Sequence, residues 1–400
     1  MGHAVASAYL GHRLTDRVGE FVALRREIHA HPELAFNEHR TAALVARKLS
    51  DWGYAVTTGV GGTGVVGQLR RGTAQRAVGL RADMDALPIV EATGHPWSSQ
   101  VPGVMHACGH DGHTATLLAA ARHIAEEVEF DGTLNLIFQP AEEGAAGAVR
   151  MMEDGLFERF PCDSIFALHN MPGMEAGHFT FRAGAAMASS DNVTIALHGT
   201  GGHGAMPHTT ADPLVAAASI VMALQTIVAR NVDPLQTAVV TVGALQAGQA
   251  NNVIPDQASM KLSVRALAPD VRALLKQRIH ELVTQQAASY RVRADIDWQD
   301  GYAVLMNDAT CTALATQVAT RLFGHDRVTP QGAPLTASED FAFMLQRVPG
   351  CYFFVGNGAA GTPGACMVHN PGYDFNDDLI ADGALFWGAL VSEVLAPVTA

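Results

Sequence analysis

Apolar residues in the opening stretch recur at helical spacing. Val18, Phe21, Val22, Leu24 and Ile28 fall on one side of a segment otherwise rich in Arg and Glu, which predicts a helix over 12–30. His29-Ala30-His31-Pro32-Glu33 closes it, because proline disfavours helical backbone at the residue before it. A second helix is predicted over about 38–52, ended by Gly53. Three apolar runs of the kind that build fully buried strands follow. Ala77 to Arg81 ends in Asp83-Met84-Asp85, Thr133 to Phe138 in Gln139-Pro140-Ala141-Glu142-Glu143, and Ser164 to Leu168 in His169-Asn170. Helical patterns at about 113–128 and 145–156 separate them. Strand, loop and helix in alternation predict a mostly parallel sheet covered on both faces. Such sheets bind ligands beyond the carboxyl ends of their strands, where Asp, Glu-Glu and His all sit.

The pattern changes near Ala188. Strand 191–198, helix 212–230, strands 236–246 and 257–265, helix 269–289 and strand 290–298 make a β-α-β-β-α-β series, the ferredoxin-like split motif. Asn192-Val193-Thr194-Ile195-Ala196-Leu197 alternates, as a strand with one wet face does. The expected fold class is therefore α/β with a mostly parallel central sheet, plus an inserted ferredoxin-like α+β domain. The main domain takes 1–186 and 299–400, and the insert takes 187–298. After the insert come helices 307–323 and 339–347, a strand from Cys351 to Val355, and a last helix near 377–395. Gly59-Val60-Gly61-Gly62-Thr63-Gly64 matches GxGxxG, but Val65-Val66-Gly67-Gln68-Leu69 after it reads as a strand. A glycine-rich hairpin is expected there, not a dinucleotide fingerprint.

A length of 400 residues agrees with two domains, and 48% hydrophobic content allows sizeable cores. The net charge of −13 repels nucleic acid phosphates and anionic lipid, so neither is an expected partner. Cys108, Cys162, Cys311, Cys351 and Cys366 are odd in number and scattered, which fits a reducing, cytoplasmic setting better than a disulfide framework. The first fifteen residues lack the basic and apolar regions of a leader. The apolar run from Pro213 to Ala229 falls short of the roughly 20 residues of a membrane span and is expected as a buried helix.

Chemistry concentrates in His106-Ala107-Cys108-Gly109-His110-Asp111-Gly112-His113-Thr114. A thiol and an imidazole two residues apart, at the start of a helix, suit a metal ion, although a polar loop capping that helix has the same composition. With one or two residues from each later cluster, the candidate ligand set is Cys108, His110, Glu143, His169 and His369. Thiolate, imidazole and carboxylate together suit zinc, manganese, cobalt or nickel. Five ligands exceed a closed tetrahedral zinc site, and the paired Cys-x-x-Cys units of structural zinc are absent. Two ions flanking one water is the economical reading. Glu142 and Glu143 are adjacent at a strand end, so one can hold metal while the other takes a proton from that water. A solvated glutamate pair is the plain alternative. Asp85 is a candidate for fixing a ligand histidine's tautomer, and Asp83 for capping a turn. His203 lies in the glycine-rich run 201–208, and Asn252 and Arg265 are candidates to bind a carboxylate. His280-Glu281 lacks the second histidine of HExxH, and no G-x-S-x-G is present.

Leu80-Arg81-Ala82-Asp83-Met84-Asp85-Ala86-Leu87-Pro88, the 106–114 loop, Gln139-Pro140-Ala141-Glu142-Glu143-Gly144 and Gly202-His203-Gly204-Ala205 together resemble the aminoacylase and hippurate-hydrolase family of metallo-amidohydrolases. So do Asn252-Val253-Ile254-Pro255, Ser338-Glu339-Asp340-Phe341 and His369-Asn370-Pro371. That resemblance spans about residues 29–380, and relatives include carboxypeptidases and auxin-conjugate hydrolases. It implies a two-metal catalytic domain and a lid domain that also mediates dimerisation. It implies that Cys108, His110, Glu143, His169 and His369 hold the metals and that Glu142 is general base and then proton donor. His203 would polarise the scissile carbonyl, while Asn252 and Arg265 would hold the substrate carboxylate. The wider family often has a metal-binding histidine where this chain has Asp83, which marks the cysteine-containing branch. The expected reaction is hydrolysis of an N-acyl-L-amino acid by a cytoplasmic homodimer or homotetramer. Dipeptide or carboxypeptidase-like cleavage, deacetylation of an N-acetyl-diamino acid, a metal-binding protein without turnover, and a thiol enzyme using Cys108 are the rivals.

Overall fold

In the computed structural model, which describes residues 12–397, helix α1 (His12–Ala30) turns Phe21, Leu24 and Ile28 inward, with Arg25 and His29 on the same buried face. Residues 1–11, part of the stretch read for a leader, lie outside the described residues. Helix α2 (His39–Asp51) buries Thr41, Ala42, Leu44, Val45 and Leu49. Strands β1 (Ala55–Val60) and β2 (Gly64–Arg71) then pair antiparallel across the glycine-rich turn. Gly61 and Gly62 there adopt positive φ, and Asp154 accepts the Gly61 N–H at 2.7 Å. The GxGxxG stretch is thus the expected hairpin.

Strand β3 (Ala77–Asp83) and, after helix α3 (His110–Glu127), strand β4 (Gly132–Gln139) are buried along their whole length. They run parallel, with Asp83 beside Gln139. Helix α4 (Gly147–Glu153) leads on to strand β5 (Ser164–Gly173), which lies parallel on the other side of β3. The larger unit is completed by β6 (Phe179–Thr180) and, after the insertion, by α7 (Ala309–Phe323), β13 (Val328–Thr329), β14 (Gly350–Ala359) and α8 (Leu379–Val394). Its eight strands are ordered β1-β2-β4-β3-β5-β14-β6-β13, parallel through β4, β3, β5 and β14 and antiparallel at β1–β2, β2–β4 and β14–β6. The pattern places the end of β5 at Leu168, but pairing with β14 carries it to Gly173. His169 therefore sits within the strand beside Phe354, in a β14 ladder that continues before and after it. Leu80, Leu136, Phe166, Phe353, Phe386 and Trp387 belong to the core around this sheet. Each such side chain contributes roughly 1.5–3 kcal/mol by leaving water.

The smaller unit takes Ala185–Leu305 together with Pro334–Ala342. That second segment, read from sequence as part of the main domain, is joined to it by the Ala188 N–H, which donates to the Leu335 and Ala337 carbonyls. Its elements are β7 (Ser189–His198), β8 (Gly202–His203), α5 (Pro213–Asn231), β9 (Ala238–Ala247), β10 (Val253–Ile254), β11 (Gln257–Ala266), α6 (Pro269–Ser289) and β12 (Arg293–Asp300). The four long strands form an antiparallel sheet ordered β9-β11-β7-β12. Val193, Ile195 and Leu197 of β7 point to the face that Ile220, Leu224, Leu275 and Ile279 cover. Asp212 caps α5 through the Leu214 and Val215 N–H groups, with Pro213 in the first turn. This helix is long and apolar enough by length and composition to cross a membrane. Only one side of it is core, however: Ile220, Leu224 and Ile227 are buried, while Leu214, Val215 and Met222 are exposed.

Candidate metal centre

The larger unit gathers all five expected ligands. The donor atoms of Cys108, His110 and His169 lie within 4.8 Å of one another, and so do those of Cys108, Glu143 and His369. Cys108 is common to both groups. His110, Glu142 and Glu143 form a third such group.

Each donor reaches this point through a distinct piece of local structure. Cys108 precedes Gly109, whose φ of +92° turns the backbone into α3. A Cβ at that position would also collide with Asn170 Oδ1 and Tyr373 Oη, so glycine is required twice over. His110 opens α3, and its Nδ1 faces the Asp85 carbonyl at 2.9 Å and the Asp85 carboxylate at 3.2 Å. Carbonyl oxygens only accept, so Nδ1 carries a proton and Nε2 is the nitrogen left to face a cation. The same logic applies to His169, whose Nδ1 donates to the Asn170 carbonyl at 2.6 Å and whose Nε2 lies 3.3 Å from Cys108 Sγ. Anchoring one ring nitrogen so that the other is aimed is how metal-binding histidines are held. Asp85 serves twice, since its other oxygen accepts the Glu143 N–H at 2.9 Å. His369 stands in the left-handed region at φ +65°, tied by its N–H to the Ala107 carbonyl at 2.7 Å. Its Nε2 is 3.2 Å from Glu143 Oε1, an ion-pair contact without hydrogen-bond alignment.

His110 Nε2 and Glu143 Oε1 are buried polar atoms with no hydrogen-bond partner among the described residues. Such atoms are costly unless something charged meets them. Burial disfavours a positive His110, yet the Asp83, Asp85 and Glu143 carboxylates outweigh it and push the ring up to about 10. The field at this spot therefore calls for positive charge. Burial, followed by Glu143 and Glu142, pushes the Cys108 thiol well up, so the anion forms only where a cation compensates it. Thiol, two aimed imidazoles, a carboxylate and a third imidazole, with orphaned acceptors among them, fit a pair of divalent ions.

Behind the donors lies a layer that the motifs alone leave unread. Asp83 does not cap a turn. It ends β3 fully buried, 2.7 Å from Arg81 Nη1 and 2.7 Å from His113 Nδ1. The Asn170 N–H donates to His113 Nε2 at 3.1 Å, which fixes that ring with its proton toward Asp83. Burial opposes an ionised Asp83, but His110, Arg81 and His113 hold it well below the usual carboxylate range. On the other side of the loop, Asp111 is completely buried against Arg25 Nε at 2.7 Å and His29 Nδ1 at 2.8 Å. The clue to Arg25 and His29 was their place in the apolar stripe of α1, beside Phe21, Leu24 and Ile28. A charge on the core side of an amphipathic helix requires a partner.

The remaining expected residues belong to the smaller unit. His203 and Asn252 are brought side by side: β8 and β10 pair with Val253 opposite His203, and the Gly204 N–H donates to the Asn252 carbonyl. Both are exposed, and His203 Nδ1 accepts the Ala205 N–H at 3.0 Å. Arg265 lies on β11, its guanidinium donating to the Thr336 carbonyl at 2.9 Å. It is not adjacent to the His203–Asn252 ladder in the strand register.

The chain is similar to known proteins over nearly its whole length. A hippurate hydrolase of Campylobacter jejuni is 45% identical over 382 residues, which cover 96% of this chain and 98% of that protein. An N-acetyl-L-cysteine deacetylase of Bacillus subtilis is 38% identical, covering 92% of this chain and 86% of that one. Among solved structures, a dinuclear metal-binding peptidase of the M20 family from Bacillus subtilis superposes with a TM-score of 0.83 at 31% identity, covering 95% of this chain and 99% of that one. Residues 79–393, a span that contains every candidate donor, match the model of peptidase family M20/M25/M40, and the chain belongs to that family.

Proposed function

We propose that this protein is a metal-dependent amidohydrolase that cleaves the amide bond of N-acyl-L-amino acids, adding water to give a carboxylic acid and a free amino acid. The observation that carries the reading is the pair of donor groups sharing Cys108, with Glu142 beside Glu143 and His110. The similarity to a hippurate hydrolase and an N-acetylcysteine deacetylase supports the substrate class. Cys108, His110, Glu143, His169 and His369 hold two divalent ions of the zinc, manganese, cobalt or nickel type. When bound, the ions supply electrophilic activation of water and of the scissile carbonyl. Asp85 orients His110 and the Glu143 backbone. Glu142 takes the proton from the attacking water and returns it to the departing nitrogen. His203 polarises the carbonyl, and Asn252 and Arg265 recognise the carboxylate.

The buried Cys108 thiol argues against a thiol enzyme, since a nucleophilic cysteine needs surroundings that lower its pKa. Five unpaired cysteines support a reducing, cytoplasmic setting. A homodimer or homotetramer built on the smaller unit is supported by a contrast between its sheet edges. The outer strand β12 carries Arg293, Asp295, Asp297 and Asp300, while β9 carries no charge. Charged edges resist strand pairing, and uncharged ones accept it.

The test is turnover of hippurate and of an N-acetyl amino acid panel by purified protein, before and after chelation. Activity lost with chelator and regained with manganese or zinc is the expected result. Chelator-resistant turnover with covalent labelling of Cys108 overturns it.

A further inference from the structure

The Glu142-Glu143 pair does not leave β4 by a relaxed route. Ala141, just before it, is completely buried and left-handed at φ +55°, a conformation that a Cβ penalises. Such a position persists only where its surroundings over-determine it. Two contacts do so. The Ala141 carbonyl accepts the Gly147 N–H at 2.9 Å, and the Ala141 N–H donates to Glu38 Oε1 at 2.9 Å.

Glu38 lies more than 100 residues earlier, at the start of α2, and is itself fully buried. The same Oε1 accepts the N–H of Phe36 at 3.0 Å, and Phe36 is also left-handed, at φ +60°. The other oxygen, Oε2, accepts the Thr63 hydroxyl from the glycine-rich hairpin between β1 and β2. One carboxylate therefore ties together the turn before α2, the β1–β2 hairpin and the corner that presents Glu142. No element of the metal loop takes part. Buried carboxylates are rare without a purpose for each oxygen, and here Oε1 accepts from the amides of two left-handed residues, Phe36 and Ala141.

We infer that Glu38 is a positioning residue for the general base: it locks the Ala141 corner so that Glu142 is delivered in one orientation. This rests on the reading of Glu142 as the base. The reason to fix it is that a displacement of about 1 Å in a reacting group costs on the order of 100-fold in rate.

Two conservative variants of the full-length, manganese-loaded protein test it, because they separate reach from charge. Glu38→Gln keeps an oxygen at Oε1 for both amides, and its Nε2 can donate to the Thr63 hydroxyl. Glu38→Asp keeps the charge but withdraws the oxygens by about 1.5 Å, one C–C bond. Amide exchange of the 139–147 segment and the kcat and KM for hippurate are measured, with metal content and thermal unfolding alongside. For Glu38→Asp, exchange at Ala141 accelerates by about tenfold, the loss of one strong hydrogen bond. Its kcat falls by roughly 10- to 100-fold with KM within about threefold, the signature of a group misplaced only for the chemical step. Glu38→Gln stays within about threefold of the parent in all three, because its hydrogen bonds survive.

The inference is overturned if Gln is as damaging as Asp or more so, which would point to charge. It is equally overturned if Asp leaves exchange at Ala141 unchanged. A parent protein that hydrolyses no N-acyl amino acid defeats the proposed function instead. The exchange measurement then still decides whether Glu38 holds the corner.

Discussion

Removing the Arg25 guanidinium should destabilise the larger unit and loosen the metal loop, by an amount the geometry allows to be worked out. Arg25 Nε lies 2.7 Å from Asp111 Oδ2 with both side chains at zero exposure, and Asp111 directly follows His110. Arg25 also reaches Asp374 and, at 3.5 Å, Asp377, whose side chains keep 21% and 16% exposure. In Arg25→Met the thioether replaces the apolar stem, but the Asp111 charge stays in the core. Stripping one partner from a buried ion pair costs about 3–5 kcal/mol. The two partly wet aspartates add at most about 1 kcal/mol, because water screens them. His29 softens the loss. Burial works against its charged form, but Asp111 and Glu91 push it up to about 9, so a second cation remains 2.8 Å from Asp111. The expected penalty is therefore at the lower end, about 3 kcal/mol, a large share of the 5–15 kcal/mol typical of a folded domain. Urea unfolding followed by hydrogen exchange in α3 reads this unit specifically. The double variant Arg25→Met/Asp111→Asn removes the stranded charge and should recover at least about 1 kcal/mol of the loss. A single variant within 1 kcal/mol of the parent, or a double variant no better than the single, would refute the reasoning.

Three further outcomes are expected. Glu142→Gln should keep both metals while lowering kcat by roughly 10²–10⁴-fold, the usual range for a general base; metal analysis beside hippurate kinetics checks it. Gly109→Ala puts a Cβ at φ +92° against Asn170 and Tyr373, and the left-handed cost of about 1–2 kcal/mol is only its minimum. Metal affinity, measured by competition with a chromophoric chelator, should fall with it, and wild-type affinity would contradict the tight turn. The His29 contribution depends on pH with a definite sign. Its folded pKa of about 9 exceeds the ordinary 6.5, so the stabilisation is complete below about 6.5 and is lost as pH rises through 9. Between pH 6 and 10 the parent should lose more stability than His29→Gln, and equal losses would show that the ring does not carry the charge.

The Glu142–Glu143 corner shows how much of the site was legible. Its residues, the strand before them and the glycine after them are contiguous, so the sequence displays them as one motif. Glu38, which anchors the corner, is an ordinary polar residue ahead of an amphipathic helix, and no local pattern distinguishes it from a solvated cap. Asp83 was similarly opaque. An aspartate at a strand end suits a turn cap, and only the arrival of Arg81 and His113 on its two oxygens makes it a buried counter-charge.

Periodicity and spacing were enough to determine the main helices and the long buried strands, the βαββαβ insertion and the glycine hairpin, because each depends on neighbours within a few turns of chain. Tertiary structure alone decided that β5 runs on through His169, that 334–342 pairs with the smaller unit, and that one side of α5 faces outward. It alone brought Cys108 Sγ within reach of His169 from a neighbouring strand and of His369 from a loop near the far end of the chain. Those outcomes turn on which strand lies beside which and on where buried charges find partners. Both are settled by long-range packing, on which local sequence periodicity is silent.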